Sequence, residues 1–431
     1  MHHRTRTSST SATPDLQHTR LPCGARVVTE HVPGARSVAV GLMIDTGSRD
    51  EPVERSGISH FVEHMVFKGT HRRRAHHIAQ RMEAVGGYLN AFTEKEVTCY
   101  YGRALPEHAA RAIDAVVDLA LRPSFPVNEV AREQGVVFEE LKLYDDTPEE
   151  AALDLYDRAM YPGHGLGRPV LGSAETVGAL TQEALHAFVA AHYVPERMVL
   201  AAVGAVDHAQ VCRAATRAFA DADRATAEAP SREEAPALTQ TRCEVLPRPV
   251  QQAHVVLGVR ALAMDDERRH ALTLLHTALG AGMSSRLNRQ IREMTGACYA
   301  IYSFANAYTD TGDLGVYAGM DPMRLDRMIP RIWREMTWFA SHAMPARVLQ
   351  RVKNQARGEW LLGLESLSNR MVYIARHMLY HGDLPSATAE ADGLQAVSAE
   401  AVQTLAQELF MDQPSVEVRV LPADDAQPAA I

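Results

Sequence analysis

The chain has 431 residues, 46% hydrophobic and 23% charged, with a formal net charge of −9. At about 150 residues per domain this length calls for two or three domains, and the composition supplies apolar material for sizeable cores. The acidic balance excludes nucleic acid as the expected partner, because the one dense basic run, His71-Arg72-Arg73-Arg74, is short and reads as a solvated loop.

The opening residues 1–14 carry arginines and serines but no acid and no apolar stripe, so they read as a disordered tail. Next come a strand at "SVAVGLMI" (37–44), a helix at "GISHFVEHMVF" (57–67) and a strand at "TCYYGRAL" (98–105). "NEVAREQGVVFEELKLYDDTPEE" (128–150) is a strongly helical, acidic segment. "MVLAAVGAV" (198–206) is the longest plainly apolar segment, far below the roughly 20 residues a membrane helix needs, and reads as a buried strand. No membrane partner is expected.

"DADRATAEAPSREEAPAL" (221–238) is rich in Ala, Pro and charge and reads as a linker between domains at 15–220 and 239–425. Beyond it a strand at 254–261, a helix around 284–294, and strands at 313–319 and 416–422 repeat the order of the first half. The glycines of "GAG" (280–282) read as the start of that helix, and Cys298 as a packed small residue. The expected fold class is α+β: two duplicated αβ domains, each a mostly antiparallel sheet with helices packed on it. The five cysteines form no CxxC pair and are odd in number, which favours a reducing compartment. The cytoplasm is the expected place, with the mitochondrial matrix as the alternative.

The chemistry concentrates in "HFVEH" (60–64). Residues four apart share one face of a helix, so His60 and His64 can direct two imidazoles at a single ion, with Glu63 bordering that face. The spacing is that of HExxH read backwards. The motif needs a third ligand. The acidic helix offers Glu139 and Glu140 as ligands, and Glu140 shares a face with Glu133, seven residues earlier.

Glu140 lies 76 residues beyond His64, and the pattern resembles that of the pitrilysin-type inverzincin metallopeptidases, whose third zinc ligand is a glutamate at about this distance. "GSRDE", "MVFKGT", "GGYLNAFTEKEVTCYY" and "GLGRPVLGSAETV" in the first half also match that family, as do "GAGMSSRLNRQIREMTGACYAIYS" and "WLLGLESLSNRM" in the second. The resemblance implies one Zn2+ per chain held by His60, His64 and Glu140, and a zinc-bound water activated by Glu63. It implies that Glu133 orients a histidine, that Asn90 and Ala91 lie on an edge strand that pairs with substrate, and that Arg292 and Tyr299 grip the peptide. Two αβ units make one half of the family's clamshell, so a homodimer cutting unstructured peptides in a closed chamber is expected, with zinc of one copy facing Arg292 and Tyr299 of the other. A catalytically silent assembly subunit and a dedicated processing peptidase for one precursor are the alternatives.

Overall fold

The computed structural model describes residues 15–220 and 231–423; the expected tail at 1–14 and the part of the expected linker at 221–230 lie outside the described residues. The first sheet contains β1 (Asp15–Arg20), β2 (Arg26–His31), β3 (Val38–Ile44), β4 (Tyr88–Thr93), β5 (Thr98–Ala104) and β6 (Met198–Gly204), in the spatial order β1-β2-β6-β3-β5-β4. The second contains β7 (Arg242–Arg248), β8 (Ala253–Ala261), β9 (Cys298–Ala307), β10 (Gly312–Met320) and β11 (Ser415–Pro422), in the order β7-β11-β8-β10-β9. β2 pairs with β6 in parallel and β7 with β11 in parallel, while every other pairing is antiparallel. The two sheets therefore share one topology, with β1 added to the first, and the fold is the duplicated α+β arrangement expected.

The central strands are apolar throughout because both of their faces are covered. In β3, Val38, Val40, Leu42 and Ile44 join the core under the helix Ile58–Val66, while Ala39 and Met43 point to the opposite face. That second face is closed by Met371, Ile374, Ala375 and Met378 of the helix Leu367–His381, a segment from the far half of the chain. The converse also holds. Val256, Tyr317, Val416, Val418 and Val420 on the outer face of the second sheet pack on Ala152, Tyr156 and Ala159 of the helix Pro148–Met160. Each domain thus lends a helix to the other's sheet.

A glycine admits each visiting helix. A Cβ on Gly41 of β3 would lie 2.3 Å from Met371 Sδ, and one on Gly258 of β8 would lie 2.2 Å from Tyr156 Oη. The domain contact is completed by Arg49, whose buried guanidinium meets Glu96 at 2.6 Å and Asp310 at 2.6 Å. Arg49 also donates to the carbonyl of Glu233, at 2.6 Å. The neighbouring Arg232 pairs with Asp45 at 3.0 Å and Asp50 at 2.9 Å, so the described end of the expected linker is fastened to the first domain.

Three local expectations are corrected. The acidic helix does not run from 128 to 150: it spans Val127–Asp145, and a new helix starts at Pro148. Proline has no N–H to give a helix interior but suits a first turn, so the break falls just before it. "GAG" ends a helix instead of starting one, with Gly280 capping Arg269–Leu279 where a Cβ would collide with Ser303 of β9. The basic run is not wholly solvated: Arg73 is turned inward onto Asp114 and Asp118, and Arg72 lies 3.8 Å from Asp114 and 3.9 Å from Asp118.

Candidate metal centre

The helix Ile58–Val66 buries Ile58, Phe61, Val62 and Met65, which leaves His60, Glu63 and His64 on its other side. Its start is fixed by Gly57, held at φ 92° where a Cβ would meet Leu171 O at 2.5 Å. Glu51 accepts the buried N–H groups of Gly57 at 2.7 Å and Ser59 at 2.8 Å, which have no carbonyl partner within the helix, capping the turn that carries His60. Burial pushes the Glu51 carboxyl up to about 8 despite those bonds.

The imidazoles of His60 and His64 lie with ring centroids 4.6 Å apart. Both Nε2 atoms face Glu140 Oε2 on the helix Val127–Asp145, at 3.8 Å from His60 and 3.6 Å from His64. These separations are too long for hydrogen bonds. They suit three ligands around one zinc ion, since tetrahedral bonds of about 2.0–2.2 Å set neighbouring ligand atoms roughly 3.3–3.6 Å apart, within about 0.2 Å of both separations. His60, His64 and Glu140 are the one such group of three potential ligands among the described residues. Burial and the neighbouring His64 lower the His60 imidazole to about 4, so the ring is neutral at pH 7, as a ligand must be. Its Nδ1 is buried without a hydrogen-bond partner. Glu139, the rival carboxylate, is turned to solvent and pairs with Lys142 at 2.7 Å.

Glu133 stands behind His64, its Oε1 2.9 Å from Nδ1. Lys68 contacts the other Glu133 oxygen at 2.6 Å. A carboxylate on Nδ1 fixes the ring and its tautomer and leaves Nε2 free to bind an ion. Glu63 is held by Thr93 of β4, whose hydroxyl donates to Oε2 at 2.5 Å. Burial raises the Glu63 carboxyl above its usual range, with the Thr93 bond and His64 opposing that shift. Thr93 and Lys68 escaped the sequence reading. Lys68 could have been found as the residue one turn beyond His64, whereas Thr93 is brought in by the sheet and leaves no local signal.

β4 is an edge strand, as expected for Asn90 and Ala91. The Asn90 side chain accepts the Ala91 N–H at 2.9 Å, so it occupies a backbone donor that a pairing strand would use. Ala91 and Thr93 line a cleft of about 870 Å³ together with His60, Glu63 and Glu140. Arg292 and Tyr299 do not line it. Both are exposed: Arg292 on a π-helical turn, Asn288–Glu293, and Tyr299 on β9, the edge of the second sheet. A single chain therefore does not bring the Arg-Tyr pair into the cleft lined by His60, Glu63 and Glu140. Among the described residues no helix is long and apolar enough to cross a membrane.

The fold and the cluster define a protein class: a duplicated αβ chain with two histidines and a glutamate gathered at a cleft under an edge strand of its first domain. Residues 26–174 match the family described as Insulinase (Peptidase family M16), and residues 179–356 match the Peptidase M16 inactive domain. The chain belongs to peptidase family M16. It is 37% identical over 417 residues to an uncharacterized zinc protease of Streptomyces coelicolor, covering 96% of this chain and 91% of that one. It is 40% identical over 399 residues to an uncharacterized zinc protease of Mycobacterium leprae, covering 91% and 88%. Against the "Probable mitochondrial-processing peptidase subunit beta, mitochondrial" of Arabidopsis thaliana it is 31% identical, covering 93% and 77%. A protease from Helicobacter pylori shares the fold, with TM-score 0.89 at 21% identity over 95% of this chain and all (100%) of that one.

Proposed function

We propose that this chain is a zinc-dependent endopeptidase that hydrolyses unstructured peptides inside a closed chamber formed by two copies. The observation that carries the reading is the approach of His60 and His64 Nε2 to Glu140 Oε2, at 3.8 and 3.6 Å, beside the carboxylate of Glu63 in one cleft. His60, His64 and Glu140 would hold one Zn2+ per chain. Zinc bound there supplies a Lewis acid that makes water more acidic and polarises a peptide carbonyl.

Glu63 takes a proton from the attacking water and passes it to the leaving amine as the C–N bond breaks, steered by the Thr93 hydroxyl. The edge of β4 receives the peptide as an added strand, with Ala91 N–H exchanging its Asn90 bond for a substrate carbonyl. Arg292 and Tyr299 act on the site of the facing copy, where Arg supplies a fixed fork of donors and Tyr a directed hydroxyl. Their absence from the cleft lining of their own chain supports this homodimeric arrangement. The bacterial relatives support a cytoplasmic location, and the Arabidopsis relative supports the mitochondrial matrix and a dedicated processing role as the second reading.

The test is cleavage of a quenched, unstructured peptide by wild type and Glu63→Gln with bound zinc quantified. About one zinc in each chain with cleavage only by wild type is the expected result. Zinc-free protein, or equal cleavage by both, overturns the reading. Mixing inactive Glu63→Gln chains with inactive Arg292→Ala chains should restore cleavage in verified mixed dimers; no recovery there refutes the shared site.

A further inference from the structure

Three irregularities meet at Tyr299. β9 pairs Ala300 with Gly319 and Cys298 with Met320, so the register shifts and Tyr299 is the residue left over, the extra member of a β-bulge. Such bulges re-aim a side chain away from the regular alternation of a strand. Across the ladder Gly319 leaves a slot for the ring: a Cβ there would lie 2.4 Å from Tyr299 Cε1. The segment leading in is itself irregular, being π-helical over Asn288–Glu293 with Arg292 in its last turn.

The ring is then met from below. Tyr317 on β10 is buried, and its hydroxyl lies 3.4 Å from that of Tyr299 and 2.8 Å from Nδ1 of buried His254 on β8. The His254 ring also stands edge-on to Tyr299, with centroids 6.4 Å apart. Tyr302 packs over Tyr317 at 5.1 Å and is itself tied to Glu149 at 2.5 Å, which holds Tyr317 in place. Tyr299 remains 50% exposed above this buried pair.

We infer that Tyr317 and His254 are positioning residues for Tyr299, which they hold with its own O–H free to donate outward to a peptide in the facing copy. The inference rests on the peptidase reading above. The inferred polarity is that of one of the two tautomers open to His254. Burial keeps the His254 imidazole below its usual range, so the ring is neutral and carries one N–H. With that hydrogen on Nδ1, His254 donates to Tyr317, Tyr317 donates to Tyr299, and the last proton in the line points to solvent. The opposite tautomer would draw the Tyr299 proton inward and leave nothing to offer an oxyanion.

The test uses the full-length homodimer and a quenched unstructured peptide. Tyr317→Phe and His254→Leu should each lower kcat about tenfold with KM changed less than about twofold and zinc content unchanged, while His254→Asn, which keeps an N–H near Nδ1, should recover most of the loss. In a Tyr299→Phe background, Tyr317→Phe should have no further effect, because both changes act through one hydroxyl. A full additional loss in that double variant, with melting curves showing both proteins folded, overturns the inference and assigns Tyr317 a purely structural role. If Tyr299→Phe alone cuts as fast as wild type, the role of Tyr299 in the peptidase reading fails and the inference fails with it.

Discussion

Glu133 Oε1 sits 2.9 Å from His64 Nδ1 while Lys68 holds the other oxygen at 2.6 Å. One carboxylate is thus shared between the His64 ring and the Lys68 ammonium. A carboxylate facing Nδ1 suits the His64 tautomer that carries its proton there and leaves Nε2 free for an ion. Glu133→Gln should weaken zinc binding about 10–100-fold. Competition with a chelator of known affinity measures this directly, and an unchanged zinc affinity would show that His64 needs no such orientation.

Thr93→Val removes the hydroxyl that donates to Glu63 without changing side-chain shape greatly. The expected outcome is a fall in kcat of about tenfold with zinc retained, since a hydrogen bond to a charged group contributes roughly 1.5–3 kcal/mol. Steady-state cleavage alongside zinc quantification checks it; wild-type kcat would mean Glu63 is aimed by other contacts.

Arg49→Ala leaves Glu96, with its side chain only 4% exposed, facing the domain contact without its guanidinium partner, and removes the bidentate pair to Asp310. Arg232 stays 3.7 Å from Glu96 and compensates in part. Breaking a buried pair on one side costs about 3–5 kcal/mol. Urea denaturation should therefore show a loss approaching that range, and a loss within error of zero would refute the view that Arg49 holds the domains.

Asp313 is fully buried where the helix Pro148–Met160 meets the second sheet, and accepts hydrogen bonds from Tyr161 at 2.8 Å and Asn306 at 3.1 Å. Burial and then Asp157 push its carboxyl up to about 7, against those hydrogen bonds. An unfolded chain would release this proton near pH 4. The folded state holds the proton more tightly, so the contribution is full below about pH 4 and is lost as pH rises to about 7. Asp313→Asn should flatten the fall in melting temperature between those values; an unaltered slope would contradict the assignment.

Much of the fold was legible because strands with both faces covered read as unbroken apolar runs, as in β3, β6 and β8. His60, Glu63 and His64 were legible because four-residue spacing is a property of one helix, whereas the break before Pro148 was missed although proline is a signal for a helix start. The partnership of Thr93 with Glu63 was not legible, because it depends on which strand lies beside which helix. Periodicity likewise reports that the helices Pro148–Met160 and Leu367–His381 have apolar faces, but not which sheet each covers. Arg292 and Tyr299 came from family likeness alone, since a π-helical turn and a β-bulge are departures from the periods that sequence reading uses.

Gly41 and Gly258 occupy the same place in β3 and β8, three residues before the last of each strand, and each receives a side chain from the opposite domain. This bears on how the molecule comes off the ribosome. The first sheet is complete once β6 is made, yet its outer face stays bare until residues 367–381 emerge, and the helix Pro148–Met160 waits for strands not yet synthesised. Neither half can finish alone, so the nascent chain carries two unsatisfied apolar surfaces while much of its second half is made, and chaperone demand should peak before residues 367–381 appear.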